Sequence, residues 1–232
     1  MKHSGKARKA AFRLIVGTLI ALIAVGVVWA LGVLTATMVA ITFVAIIPVV
    51  ILVWVLFAIF TLYFFRDPNP RVPLGPNLVL APAHGKVDVI GTTVEPDFMG
   101  GDCQRVSIFL SVIDVHIQNA PVSGKVAYFK YTTGQFINAL RAESAKFNEN
   151  VLLGFEASEP TGQKVGVRLI AGVIARRIVP SVQQGDLVAR GDRIALIQFG
   201  SRADIYLPAA ARIKVKLGDH VVGGQTVLAV FE

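Results

Sequence analysis

The sequence predicts an N-terminal transmembrane α-helical hairpin followed by a mainly-β domain of the β-sandwich or barrel-sandwich type on the cytoplasmic side. Apolar residues make up 54% of the chain, and the mean hydropathy of +0.63 is too high for an ordinary soluble protein. The apolar residues are concentrated in residues 14–65, which carry no formal charge. Beyond Pro73, short alternating apolar runs are separated by Gly and Pro turns, which is the pattern of β-strands.

The charge-free stretch from residue 14 to residue 65 predicts the membrane anchor. It contains 52 residues, whereas one spanning helix needs about 20. As a single helix it would extend roughly 78 Å, against a hydrocarbon core of about 30 Å. Two transmembrane helices with a turn near residues 32–37 fit better, and one long or partly interfacial helix is the alternative. The basic tail at residues 1–13 then lies in the cytoplasm, and the hairpin returns residues 66–232 to the same side.

The excess positive charge belongs to the membrane part of the chain. The formal net charge is +8; residues 1–66 contain six basic and no acidic residues, and the remainder contains 17 basic and 15 acidic residues. This distribution argues against a nucleic-acid partner, which would need a basic face on the folded domain. It suits the anionic surface of the inner, cytoplasmic membrane of a cell. Cys103 is the only cysteine, so an intrachain disulfide is excluded and a reducing compartment is favoured.

The C-terminal part of the chain contains a weak internal repeat. Residues 185–197 and 218–230 share the order Gly-Asp, an aliphatic residue, Gly and then a strand. Because Gly and Asp favour tight turns, we expect each unit to pair as a β-hairpin, as in biotinyl and lipoyl carrier domains. Neither unit has a lysine at its tip, which argues against a carrier function.

Three residues are candidates for chemistry. Ser201 follows an apolar run and a glycine, His116 follows a dense apolar segment, and His84 lies in a turn with Pro and Gly. A lone histidine is more often structural, and a Ser–His pair is recognised by geometry, not by sequence. The sequence has no nucleophile elbow, phosphate-binding loop, dinucleotide glycine pattern or zinc-peptidase motif. A non-enzymatic membrane-anchored β-sandwich adaptor and a membrane-anchored metallopeptidase, which would need further His and Asp ligands, are the alternatives to be weighed.

Six motifs within residues 64–208 carry a resemblance to a known family. In chain order they are Phe64-Phe65-Arg66-Asp67-Pro68, Ala81-Pro82-Ala83 with Gly85-Lys86-Val87, Asp114-Val115-His116 with Pro121-Val122-Ser123-Gly124, Gly134-x-Phe136-x-Asn138-Ala139, Ala171-Gly172 with Ala175-Arg176-Arg177-Ile178, and Phe199-Gly200-Ser201-Arg202-Ala203-Asp204 with Tyr206-Leu207-Pro208. Each motif alone is weak, but their joint order and spacing are specific. On these motifs the chain resembles the short, membrane-anchored, pyruvoyl-dependent phosphatidylserine decarboxylases of bacteria and archaea.

The resemblance implies a proenzyme that cuts itself by serinolysis between Gly200 and Ser201. The products are a β chain, residues 1–200, and an α chain, residues 201–232, which stay together as a heterodimer; a homo-oligomer is left open. Ser201 becomes a pyruvoyl group, which forms a Schiff base with the amine of phosphatidylserine and accepts the electrons released with CO2. The lipid product is phosphatidylethanolamine, and neither a metal nor PLP is expected. Decarboxylation of an unusual, for example archaeal-type, phosphatidylserine analogue is the alternative.

By the same resemblance His116 transfers protons, in decarboxylation, in activation of Ser201, or in both. The chain departs from the family at His84, where most relatives carry aspartate in a Pro-Ala-Asp-Gly turn. An imidazole cannot orient a neighbouring histidine as a permanent anion does. Either His84 itself is the base for Ser201, therefore, or another acid such as Asp88 compensates.

Two further expectations concern residues near the site. Asn119 lies close to where longer relatives have a second histidine. Arg66 and Arg71 stand where lipid head groups would be, and we expect them or other basic groups to attract the anionic head group of the substrate.

Overall fold

The fold is that of a computed structural model of the 232-residue chain. It describes residues 6–135, 147–172, 177–198 and 201–232, with side chains from Ile15 onward except that of Gln198. The chain falls into two compact units, Met1–Thr61 and Leu62–Glu232.

The N-terminal part of the chain is one continuous helix. α1 spans Lys6–Ile41, a five-residue π-helix spans Thr42–Ile46, and α2 spans Ile47–Phe64. Pro48 explains the π-helix just before it, because proline lacks a backbone N–H and crowds the carbonyl four residues earlier. Within Ile15–Phe64 the most apolar window has a mean hydropathy of 3.1 and is exposed, so by length and composition this helix is a candidate membrane span.

The helix runs through the segment where the sequence analysis predicts a turn. Residues 32–37 lie inside α1. Thr35 and Thr37, the polar residues of this segment, donate their hydroxyls to carbonyl oxygens three residues earlier, at 2.9 and 2.8 Å. A hydroxyl bonded back to the preceding turn is satisfied within a helix, so the slight polarity of the segment does not end it. The predicted hairpin of two helices is not seen in residues 6–64.

The domain after α2 contains fourteen strands among the described residues. They are β1 Leu78–Leu80, β2 Gly85–Glu95, β3 Gly101–Leu110, β4 Ile117–Asn119, β5 Gly124–Thr132, β6 Asn150–Ser158, β7 Thr161–Ala171, β8 Arg177–Pro180, β9 Leu187–Val188, β10 Arg193–Gln198, β11 Ser201–Leu207, β12 Arg212–Ile213, β13 His220–Val221 and β14 Val227–Val230. One sheet has eight strands in the order β13-β2-β3-β11-β7-β6-β5-β9, and two sheets have three strands each, in the orders β1-β14-β12 and β4-β10-β8. The prediction of a mainly-β domain is confirmed.

The strand order reveals two repeats of seven strands each. The large sheet is symmetric about its centre, so that strands at equal distances from its two edges are equivalent: β13 and β9, β2 and β5, β3 and β6, and β11 and β7. The two small sheets are equivalent strand by strand: β1 and β4, β14 and β10, and β12 and β8. We call β4–β10 the inserted repeat, and β1–β3 together with β11–β14 the outer repeat. The inserted repeat interrupts the outer repeat between β3 and β11.

The two repeats share a sequence motif at equivalent places. Residues 81–87 read Ala-Pro-Ala-His-Gly-Lys-Val at the start of β2, and residues 120–126 read Ala-Pro-Val-Ser-Gly-Lys-Val at the start of β5. Gly85 and Gly124 have φ angles of 141° and 158°, and a Cβ at either would collide with a carbonyl oxygen of the neighbouring strand. The pairing of β2 with β3, and of β5 with β6, also slips by one residue directly after each motif.

The repeat of residues 185–197 and 218–230 occupies equivalent places, but its strands do not pair as the predicted hairpins. Asp186 and Asp219 make the same turn, since each carboxylate accepts from the backbone N–H three residues earlier, at 2.9 and 2.8 Å. Each turn is bound to the bulged strand of its own repeat through the final valine of the shared motif, at 2.8 Å. Therefore β9 pairs with β5 and β13 pairs with β2, while β10 and β14 join the small sheets.

One apolar core contains residues of all three sheets. In β11, which is bonded to β3 on one side and to β7 on the other, Ala203 and Ile205 are fully buried in this core. Arg202 and Asp204 alternate with them and therefore lie on the other face of the sheet. The strand that begins at Ser201 is thus fixed at the centre of the large sheet.

Candidate active site

The inserted repeat separates the end of β3 from the start of β11, and these two strand ends are paired with each other. The first connection between the repeats, residues 111–116, leaves the end of β3, and the second, residues 199–200, leads into β11. Gly200, the predicted partner of the cleaved bond, lies outside the described residues. Because Ser201 is paired with Leu110, the last residue of β3, the first connection begins beside Ser201.

The hydroxyl of Ser201 is fully buried and has no hydrogen-bond partner among the described residues. Neither His116 nor His84 is therefore hydrogen bonded to it. A buried hydroxyl without a partner costs about 1–3 kcal/mol, and such groups in native structures call for an explanation such as a catalytic role. The hydroxyl serves no bond of the fold and lies at the first position of a strand that is held on both sides.

His116 lies on the first connection and is almost fully buried. Its Nδ1 is 2.9 Å from the carbonyl oxygen of Asp114, and because a carbonyl oxygen only accepts, Nδ1 carries the proton and Nε2 the lone pair. The backbone N–H of Ile197 in β10 donates to the His116 carbonyl at 3.1 Å, which joins His116 to the strand leading toward position 200. Burial lowers the pKa of His116 against the attraction of Asp114, so the imidazole is neutral at pH 7.

The side chain of Asp114 is held on both of its oxygens. Oδ2 accepts from the Ser111 backbone N–H at 2.8 Å and from the Ser111 hydroxyl at 2.6 Å, and Oδ1 is 2.9 Å from Nε2 of His220. Burial acts to raise the pKa of Asp114, but the hydrogen bonds from Ser111 and His220 outweigh it and hold the pKa below its usual value. Asp114 is therefore an ionised carboxylate in a fixed position.

His84 belongs to the same electrostatic cluster. It is half-buried in the turn before β2, and a Cβ on Gly223 would lie 3.1 Å from its ring. Burial lowers the pKa of His84, the charge of Asp114 opposes this, and Arg66, His220 and His116 reinforce it. The described residues contain no group of three or more His, Cys, Asp or Glu side chains arranged to hold a metal ion.

Asp88, the acid expected to compensate for the histidine at position 84, pairs elsewhere. It is the bulge residue of β2, and its Oδ2 forms an ion pair with the guanidinium of Arg202, the residue after Ser201. Burial raises the pKa of Asp88 in spite of this partner. Asp88 therefore anchors the start of β11.

Asn119 connects the two repeats. Its side-chain amide donates to the Gly191 carbonyl at 2.8 Å, and its backbone N–H donates to the Pro82 carbonyl at 2.8 Å. Asn119 is buried, and these two bonds span the turn before β2 and the turn before β10. Its observed contacts are thus those of a structural residue.

Arg66 joins the last turn of α2 to the first connection. Its guanidinium donates to the Tyr63 carbonyl at 2.8 Å and to the Ile113 carbonyl at 2.7 Å, and it lies 4.0 Å from the centre of the Tyr63 ring. The Phe64 ring, fully buried, lies 4.2 Å from the His116 ring. The end of the helix is thus in direct contact with the segment that carries His116, whereas Arg71 is exposed.

The structure brings together His116, His84 and two residues that sequence reasoning missed as site residues, Asp114 and His220. Asp114 belongs to the motif Asp114-Val115-His116, from which the sequence predicts no role for it. The signal for His220 was present in the internal repeat, where it replaces Leu187 at the equivalent position. The sequence alone could not place His220 in the site, because its partner, Asp114, lies 106 residues away in the chain.

Comparison with known proteins gives a consistent result. The sequence model of the family described as phosphatidylserine decarboxylase matches residues 57–229. A phosphatidylserine decarboxylase proenzyme of Desulfotalea psychrophila is 42% identical over 176 residues, which cover 76% of this chain and 81% of the relative. Proenzymes of the same name from Symbiobacterium thermophilum and Geobacter sp. are 40% and 44% identical; they cover 92% and 74% of this chain, and the matches span 90% and 77% of those relatives.

The family match covers the end of the helix and the β domain as far as residue 229, including Ser201, His116 and the cluster around Asp114. Identity of this extent, with a family match over more than half of the chain, establishes that the chain belongs to the phosphatidylserine decarboxylase family.

Proposed function

We propose that this chain decarboxylates phosphatidylserine to phosphatidylethanolamine and CO2, using a pyruvoyl group made from Ser201 after serinolysis at Gly200–Ser201. The observation that carries the proposal is the buried, unpaired hydroxyl of Ser201 at the start of β11, beside the end of β3. Residue 201 fits such a group, because it is enclosed between β3 and β7 and its side chain has no bond of the fold to lose.

The cleavage uses atoms of the chain alone, apart from water. The Ser201 hydroxyl attacks the Gly200 carbonyl, and the peptide C–N bond breaks, which leaves an ester and a free amine. Loss of the Cα proton of residue 201 breaks the ester C–O bond, so residue 200 ends as a carboxylate and residue 201 becomes dehydroalanine. Water then replaces the nitrogen, ammonia leaves, and a pyruvoyl group remains. When present, this group supplies an electron sink for the pair released with CO2.

His116 is the residue to which we assign proton transfer. Its Nδ1 is engaged with a carbonyl oxygen, so Nε2 carries the lone pair that accepts a proton. Its burial keeps it neutral at pH 7, which is the state that a general base needs. His84 is a second candidate base from the same cluster. The assignment covers cleavage and decarboxylation, and a variant of His116 measured in both assays separates the two.

The two fragments would remain one molecule after cleavage. The fragment 201–232 contains β11, β13 and β14, which pair with β3 and β7, with β2, and with β1 of the other fragment. Cutting one peptide bond removes none of these ladders. The new N-terminus at residue 201 is therefore held by backbone pairing on both sides.

The membrane anchor gives the site access to its lipid. The acyl chains of the substrate stay in the bilayer, so the head group must reach His116 at the membrane surface. Two observations support this arrangement: Phe64 at the end of the helix packs on His116, and Ile113, whose carbonyl is bound by Arg66, is 66% exposed on the same connection. Apolar tips beside a membrane anchor are suited to the lipid interface.

We further propose that in a bilayer the continuous helix breaks within residues 14–65, so that this segment crosses the inner membrane twice and leaves the domain in the cytoplasm. Ile15–Phe64 has 50 residues, or about 75 Å as one helix, against a core of about 30 Å. Cysteines introduced at Ser4 and Asp67 are expected to react with an impermeant reagent from the cytoplasmic side only, while the buried Cys103 stays unlabelled. Labelling of the two from opposite sides would contradict the double crossing.

The cleavage is tested by separating the purified protein on a denaturing gel and weighing the small fragment. We expect a fragment of residues 201–232 with a blocked N-terminus, and phosphatidylserine in detergent micelles is expected to be converted to phosphatidylethanolamine. An intact wild-type chain without activity would overturn the proposal and favour the alternative of a non-enzymatic membrane-anchored adaptor. Activity on an archaeal-type lipid alone would instead redirect the proposal to that substrate.

A further inference from the structure

We infer that Asp114 and His220 position His116 for proton transfer, so that the fragment beginning at residue 201 supplies a positioning residue as well as the reactive one. The inference rests on the proposed function. It assigns His220, which the family resemblance did not single out, a place in the site.

The contacts form one continuous chain from His220 to His116. His220 Nε2 lies 2.9 Å from Asp114 Oδ1, Ser111 donates twice to Asp114 Oδ2, and the Asp114 carbonyl accepts from His116 Nδ1 at 2.9 Å. With both carboxylate oxygens held, the Cα of Asp114 and the connection that presents its carbonyl to His116 are restrained. Asp114 thus acts through its backbone on the tautomer and direction of the His116 ring.

The inserted repeat shows that the fold does not require a histidine at position 220. His220 is paired with Lys86, and Leu187 is paired with Lys125 at the equivalent point of the other repeat. Both follow a Gly-Asp turn with the same hydrogen bonds, yet Leu187 is 82% exposed and has no role in packing. The two-residue strand forms with either side chain, so the imidazole of His220 is explained by its bond to Asp114.

The same chain of contacts places an anion near position 84. His84 itself supplies no anion to the turn before β2. Asp114 is an ionised carboxylate whose charge acts on both His84 and His116, in each case against the effect of burial. The anion of this cluster is therefore Asp114 on the first connection, and His220 of the C-terminal fragment is bonded to it.

The test compares two substitutions of His220 with a matched control. His220→Leu removes the donor and installs the residue of the other repeat. His220→Gln keeps an N–H that can reach Asp114. Leu187→Gln makes the same polar change at the equivalent, uninvolved position. For each protein the measurements are the cleaved fraction, the thermal midpoint, and kcat and KM on phosphatidylserine in detergent micelles.

We expect His220→Leu to lower kcat about tenfold, because the His116 ring is then less well oriented. KM should be unchanged and the thermal midpoint nearly so, since the His220 side chain is 60% exposed and an exposed pair adds little stability. His220→Gln is expected to regain most of the lost kcat, and Leu187→Gln to match the wild type. Slow cleavage of His220→Leu at an unchanged midpoint would support the inference as well, because His116 is assigned to that step too.

Two results would overturn the inference: an unaltered kcat and cleavage rate in His220→Leu, or an equal loss in His220→Leu and His220→Gln. A lower midpoint together with a loss that glutamine does not repair would show a structural role and count against it equally. If the wild type is itself uncleaved and inactive, the proposed function fails instead, so the two failures are distinguishable.

Discussion

The inserted repeat and the outer repeat have the same strand order but differ in one connection. In the inserted repeat, β6 runs directly into β7 through the turn at Glu159–Pro160. In the outer repeat the equivalent strands, β3 and β11, are separated by residues 111–200, which contain the whole inserted repeat. Both ends of this interruption lie at the proposed active site. The proposed site therefore lies at the point where the inserted repeat interrupts the outer repeat.

The two repeats also differ in the side chains at equivalent positions. His84, Asp88 and His220 of the outer repeat correspond to Ser123, Ala127 and Leu187 of the inserted repeat. Ser123 is a structural residue, since its hydroxyl accepts from the Arg190 backbone N–H at 2.9 Å. Because the backbone is shared, these differences separate what the fold requires from what the proposed reaction requires. The predictions below use the inserted repeat as an internal control.

Replacement of the reactive residue should have the largest effect. We expect Ser201→Ala to leave the chain uncleaved and inactive, because no hydroxyl is available to attack position 200. Gln163→Ala is the control, because Gln163 of β7 is the counterpart of Ser201. Arg202 pairs with Phe109 in the outer repeat as Lys164 pairs with Glu156 in the inserted repeat, and Ser201 and Gln163 each come one residue earlier. The Gln163→Ala chain should be cleaved normally. A denaturing gel checks both, and a cut Ser201→Ala chain would refute the assignment.

Loss of the base should have the second-largest effect. We expect His116→Ala to lower the rate of decarboxylation about 10²- to 10⁴-fold, the range for removal of a general acid–base group. His116→Asn retains an N–H that can reach the Asp114 carbonyl but has no basic nitrogen, so it should be as slow as the alanine variant. Comparable activity of the asparagine variant and the wild type would show that His116 only supports the loop.

Much of this comparison was accessible from the sequence, and the exceptions have a physical cause. The membrane segment follows from an uncharged apolar run, and strands such as β3 and β7 from short dense apolar runs, because both patterns are local. The predicted turn at residues 32–37 failed because Thr35 and Thr37 satisfy their hydroxyls inside the helix. A hydropathy pattern contains no information on that bond.

The site shows the same division between local and distant information. Ser201 and His116 are proposed from motifs, but the roles inferred for Asp114 and His220 depend on a contact between residues far apart in the chain. The sequence pattern reveals the duplication only in residues 185–197 and 218–230. The other part of the duplication is the pair of Ala-Pro-x-x-Gly-Lys-Val motifs at residues 81–87 and 120–126. The whole inserted repeat lies between the first motif and the C-terminal strands of the outer repeat. Pairing across such an insertion is decided by tertiary packing.

The third prediction concerns the ion pair that distinguishes the start of β11. Asp88→Asn leaves the Arg202 guanidinium, whose side chain is 6% exposed, without its anion. We expect a loss of up to about 3 kcal/mol in the free energy of unfolding of the uncleaved Ser201→Ala chain, since an uncompensated buried charge is costly. Ala127→Ser at the equivalent bulge should change it by less than about 0.5 kcal/mol. Equal effects, measured by denaturant unfolding, would contradict an anchoring role.

The pH dependence should reflect the burial of His116. Burial holds its pKa below the ordinary 6.5, so the neutral, basic form persists at pH 6.5 and kcat/KM should decline only below that value, about tenfold per pH unit. The folded imidazole binds a proton less readily than the unfolded one, so stability also falls as the pH drops from 6.5 through the folded pKa. A rate profile over about pH 5 to 8 checks the first point. A decline that begins above pH 6.5 would contradict it.

The smallest effect is expected where the chain departs from its family. His84→Asp replaces an imidazole, whose pKa is lowered by burial and by the charges of Arg66, His220 and His116, with an anion. The pKa of His116 should rise, and the acidic limb of kcat/KM should move up by less than about one pH unit. His84→Asn removes the imidazole without adding charge and should move the limb much less. An unmoved limb in His84→Asp would mean that a charge at position 84 does not alter the pKa of His116, and that position 84 matters no more to proton transfer than Ser123 does in the inserted repeat.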